Sequence, residues 1–86
     1  MKARRLDIID QIVEGDESVV LVANMVIRLS ALATAILREL DDWSDSADVA
    51  ETMTATFGPA PAGTNPLLTI ESALREMAEQ GLVEYV

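Results

Sequence analysis

The chain of 86 residues has no cysteine and no histidine, and it carries only six basic residues against fifteen acidic ones. Each absence removes a class of chemistry. Without cysteine there is no disulfide and no thiolate, and without histidine no imidazole can hold a metal or activate a serine, so zinc chemistry and acyl transfer through a triad lack their residues. Aromatics are limited to Trp43, Phe57 and Tyr85, which leaves an aliphatic core. The four glycines, Gly15, Gly58, Gly63 and Gly81, stand singly and cannot build a phosphate cradle. No apolar run approaches the roughly 18 residues of a membrane span. Lys2, Arg4 and Arg5 lead into Asp7 and Asp10 rather than into the apolar segment of a signal peptide. These features predict a cytoplasmic protein with no membrane association, no cofactor, no metal ligands and no catalytic residues.

The formal charge of −9 is unevenly placed. Three of the six basic residues lie in the first five positions, and from Leu6 onward only Arg28, Arg38 and Arg75 stand against all fifteen acids. Such a surface repels phosphate backbones, whose binding needs several Lys/Arg contacts, so nucleic acid is not expected as a partner. Most of the acids read as a solvated exterior. The length fits one domain spanning residues 1–86, able to bury about 60–65% of its unfolded surface.

Local patterns predict the elements. Val19 to Val22 is an apolar run of strand length, Ala23-Asn24 is a tight reversal, and Met25 to Leu29 alternates, with Met25, Ile27 and Leu29 on one face and Val26 and Arg28 on the other. Ser30 suits a helix N-cap, followed by Leu32, Ala33, Ile36, Leu37 and Leu40 at helical spacing. Leu6 to Val13 fits either period, and its β-branched content favours a strand over 6–14 returning through Glu14-Gly15-Asp16-Glu17. Asp45 with Asp48 three residues on resembles a capping box, opening a helix with Val49, Met53 and Phe57 on one face that Gly58 stops. Residues 59–66 form a Pro/Gly-rich loop. The last helix runs over 67–80, with Pro66 in its first turn, Gly81 at C′, and a buried stripe of Leu67, Ile70, Leu74, Met77 and Ala78 closed by Leu82. Strands over 6–14, 18–23 and 25–29, then helices over 31–40, 46–57 and 67–80, predict an α+β, winged-helix-like domain: a three-stranded antiparallel sheet followed by three helices.

Three motifs weigh against this background. Asp41, Asp45 and Asp48 suggest a calcium loop, but its third, sixth and twelfth positions would be Trp43, Ser46 and Thr52 instead of an oxygen ligand, Gly and Glu. Asp45-Ser46-Ala47 in a small acidic chain is similar to the Asp-Ser-Leu site of acyl carrier proteins, whose serine carries a phosphopantetheine arm, but it departs at Ala47 and follows strands rather than a long loop. A helix-turn-helix would suggest DNA recognition through the third helix. That helix sets Glu71, Glu76 and Glu79 against Arg75 alone, the wrong sign for a groove.

Taken together, Val19-Val20-Leu21-Val22 before a two-residue turn, Val26-Ile27-Arg28-Leu29-Ser30 running into a helix, the helix ending at Phe57-Gly58, and Glu79-Gln80-Gly81-Leu82-Val83 resemble the PqqD-like family. These small winged-helix modules, also called RiPP recognition elements, hold leader peptides of ribosomally made, modified peptides. The chain departs from the family at Ala23-Asn24, where Asp-Gly is commoner, and at Ile27, where an aromatic is frequent. The resemblance implies a non-enzymatic adaptor. It would present a precursor's leader to a separate enzyme, such as a radical-SAM enzyme or a leader peptidase of lasso-peptide pathways. It further implies that the leader adds as a strand along Met25, Val26, Ile27, Arg28 and Leu29 and lies against Leu68, Glu71, Ser72 and Arg75 of the third helix. The same strand edge could pair with a second copy, giving a homodimer. An acidic carrier modified at Ser46 and a winged-helix DNA-binding regulator are the competing functions.

Overall fold

The chain enters the fold through a strand that its composition hides. In a computed structural model describing residues 1–86, the elements run β1 (Lys2–Arg5), β2 (Asp10–Glu14), β3 (Glu17–Val22), β4 (Met25–Leu29), α1 (Ala31–Arg38), β5 (Ser44–Asp45), α2 (Ser46–Phe57), α3 (Pro66–Glu79) and β6 (Val83–Tyr85). They form two three-stranded antiparallel sheets, ordered β5-β1-β6 and β2-β3-β4, with three helices. The expectation of a single sheet is therefore corrected. β1 sits at the centre of the additional one, with Ala3 opposite Ser44 and Tyr85, and Arg4 opposite Glu84. Ala3 is completely buried, while the flanking cations point outward. Arg4 pairs with Glu84 and lies 5.0 Å from the Trp43 ring centroid, and Arg5 reaches Asp41 at 3.3 Å. Two cations of the basic start are thus occupied within the domain.

The strand expected over 6–14 begins only at Asp10. Residues 6–9 carry the chain between the sheets. There the Leu6 N–H donates to the Leu82 carbonyl at 2.9 Å and the Ile9 N–H to the Leu21 carbonyl at 2.8 Å. β2, β3 and β4 then form a meander whose two turns each have two central residues, with Glu14 opposite Glu17 and Val22 opposite Met25. Gly15 supplies the positive φ of the first turn, as glycine does without steric cost. In the second, Ala23 holds φ 51° and Asn24 does not, the sign pattern of a type II′ turn with alanine where glycine is preferred.

Helix boundaries follow the caps. Ser30 Oγ accepts from Ala33 N–H, Asp45 Oδ1 from Ala47 N–H, and Asn65 Oδ1 from Leu67 N–H, each satisfying an otherwise orphan donor. α1 stops at Arg38 rather than residue 40, because Glu39 and Leu40 bond to carbonyls three residues back. α3 closes in a Schellman turn: Gly81, at φ 79°, donates to Ala78, and Leu82 donates to Met77. That turn aims the chain into β6.

The core draws on every layer. Ile36, Leu37, Leu40, Leu74 and Leu82 are at most 1% exposed, each contributing about 1.5–3 kcal/mol over an exposed position. Of the expected α3 stripe, Ile70, Leu74 and Met77 are buried, and Leu67 and Ala78 are half-buried. Phe57 departs from its expected place on the buried face of α2 and is 49% exposed. The meander packs one face on α1 through Ser18, Val20 and Leu29 and leaves the other uncovered, so that Ile12 and Val26 are 60% and 72% exposed. No helix is long and apolar enough to cross a membrane.

Candidate functional site

β4 is paired on one side only. Its partner is β3, and no strand lies along its other edge. The register decides which backbone groups are free: in a two-residue hairpin the pair flanking the turn exchanges hydrogen bonds, so Met25, Ile27 and Leu29 bond inward to β3. Val26 and Arg28 therefore direct their N–H and C=O groups outward. An incoming extended segment would meet up to four backbone groups here, each bond contributing about 0.5–1.5 kcal/mol net.

A groove of about 350 Å³ borders this edge, running from Arg28, Leu29 and Ser30 past Leu32 and Ala33 of α1 to Ala73, Glu76, Met77 and Gln80 of α3. That volume is at the lower end of ligand sites and matches side chains better than a whole small molecule. Its floor is apolar and its α3 rim carries Glu76 and Gln80. Arg28 stands at the opposite lip without an acidic side chain within ion-pair distance, so its charge is free for a partner.

The expected contacts on α3 separate. Leu68 and Ser72 line a shallow extension of the groove toward Asn65 and Gly63, and Leu68 is 61% exposed. Arg75 is exposed and lines neither the groove nor its extension. Glu71 lies elsewhere. Its carboxylate accepts from Ser46 Oγ at 3.0 Å at the start of α2. Burial of Ile70, Leu74 and Met77 fixes the helix rotation, which brings Ala73, Glu76 and Gln80 to the β4 side and turns Glu71 away from it. Sequence reasoning missed these three and Leu32. The available signal was their spacing, since Ala73, Glu76 and Gln80 follow one another at intervals of three and four residues and flank the buried Met77.

Ser46 is buried, at 2% exposure, with its hydroxyl engaged by Glu71. A transferase delivering a phosphopantetheine arm needs that oxygen accessible, and here it serves to join two helices. On α3, Glu76 and Glu79 face outward with Arg75. No protein-family model, curated protein or solved structure matches the chain.

Proposed function

We propose that the chain is a non-enzymatic peptide-binding adaptor of the winged-helix, PqqD-like kind, which captures the leader of a ribosomally made precursor peptide and presents it to a separate modifying enzyme or leader peptidase. The observation that carries this reading is the free edge of β4, with Val26 and Arg28 directed outward and the groove between α1 and α3 adjoining its Arg28–Leu29 end. Strand addition uses such an edge for affinity and the adjoining pockets for selectivity. The order α1-β5-α2-α3-β6 supports a winged-helix description, in which short strands flank the α2-α3 pair. The resemblance of the residues from Val19 to Val83 to leader-binding modules supports a leader peptide as the ligand.

The competing functions have less support. The carrier-protein reading meets a buried, hydrogen-bonded Ser46. A DNA-binding role meets a helix with three glutamates to one arginine and a net charge of −9.

The test is a backbone-amide NMR titration with synthetic leader peptides of ribosomally made precursors. Saturable shifts are expected on Val26, Arg28, Ala73 and Glu76. Shifts confined to α2, or submicromolar binding to duplex DNA that falls steeply with salt, would overturn the proposal.

A further inference from the structure

A second cavity lies beyond the far end of the groove. It holds about 260 Å³ and is bounded by Leu32 of α1, Met53 and Phe57 of α2, Pro61 of the connecting loop, and Thr69 and Ile70 of α3. No charged side chain is among its lining residues, in a chain where 24% of residues are charged. Phe57 is 49% exposed at its wall. An ion entering such a site would lose its hydration without finding a partner, so the chemistry selects an uncharged, apolar occupant.

The cavity adjoins the β4 groove and its shallow extension. Leu32 lines both, and the shallow extension shares Ala73 and Glu76 with the groove and Thr69 with the cavity. The path follows α3 from Gln80 to Thr69, about 16 Å at the helical rise, which about five extended residues span. We infer that the cavity is a second recognition subsite for the same bound peptide. It takes one aliphatic or aromatic side chain about four to six residues from the strand-forming segment, on the side leaving β4 beside Leu29. This inference rests on strand addition at β4 and adds the chemistry and spacing of a second anchor. Two anchors on one chain act as a bivalent ligand, so each makes the other's binding intramolecular.

The test selects binders from a displayed library of random peptides against the intact protein, then maps them by amide shifts and alanine scanning. Selected peptides are expected to shift Val26 and Arg28 together with Phe57 and Thr69, and to carry a large apolar residue at that spacing. N-acetyl-phenylalanine amide alone should shift Phe57 and Thr69, and N-acetyl-glutamate amide should not. Thr54→Glu, on an exposed position of α2 that lines the cavity, should abolish the small-molecule shifts and lower peptide affinity by about tenfold or more while β4 shifts persist at saturation. Peptides that shift β4 without the cavity, and show no apolar preference at that spacing, would overturn the subsite while sparing strand addition. Peptides that shift the cavity without β4 would overturn both.

Discussion

Ser18 of β3 and Thr34 of α1 share a hydrogen bond of 2.9 Å in the interior, each only 2% exposed. Gln11 of β2 adds a donor to Ser18 Oγ at 3.2 Å, so one small network ties two strands of the meander to the first helix. Thr34→Val keeps the shape but strips Ser18 of a partner and should cost about 1–3 kcal/mol in denaturant unfolding. Ser18→Ala should cost a similar amount. The double variant should lose clearly less than the sum, because the second change removes a hydroxyl that has already lost its Thr34 partner and keeps only the Gln11 donor. Strict additivity would show that the two hydroxyls do not interact.

The register of β4 separates two neighbouring prolines. At Val26 proline removes an N–H that has no strand partner, so stability should fall modestly while peptide binding is lost. At Ile27 it removes a ladder bond and disturbs a half-buried side chain, and about 2–4 kcal/mol of stability should go with it. Thermal melts and peptide titration on the same samples check both. Peptide affinity unchanged in a folded Val26→Pro protein would exclude strand addition along this edge.

Arg28 lies opposite Val19 on the uncovered sheet face and also stands at the groove lip, without an ion-pair partner. Arg28→Glu should therefore leave the melting temperature nearly unchanged. Binding of an acidic peptide should weaken by about 0.5–3 kcal/mol, the range from an exposed pair to a charge-assisted hydrogen bond. Calorimetry at two salt concentrations measures the effect, which should shrink as salt screens it.

Glu71 and Ser46 form an internal contact remote from the groove. Glu71→Ala should lower stability by about 1–3 kcal/mol by depriving the buried hydroxyl of its acceptor, with no change in peptide affinity. Incubation with coenzyme A and a phosphopantetheinyl transferase should add no mass at Ser46. A modified Ser46 would show that α2 opens readily enough to expose it.

Ala23 adopts φ 51° at the first position of the β3-β4 turn. A left-handed conformation costs an L-residue about 1–2 kcal/mol, and glycine escapes it while losing part of the gain to chain entropy. Ala23→Gly should raise unfolding stability by about 0.5–1 kcal/mol. A drop in stability would show that the turn tolerates alanine without strain.

Much of the chain's local structure was readable before any fold. The β3-turn-β4-α1 segment and the caps at Ser30, Asp45 and Gly81 rest on residues within a few positions of one another, and such interactions leave their mark in spacing alone. The second sheet left none. β1 reads as a charged tetrapeptide with one alanine, and it becomes a central strand only because β6, some eighty positions away, supplies the pairing. The candidate site divides along the same line. Met25 to Leu29 was legible as a hairpin strand, with its free edge only implied by the family resemblance, whereas the flank of α3 facing it was not legible. Helical periodicity tells which stripe is buried and says nothing of which neighbour lies to its left or right. That choice belongs to the packing of Ile70, Leu74 and Met77 against the other layers, which turns Ala73 and Glu76 toward the groove and sends Glu71 to Ser46.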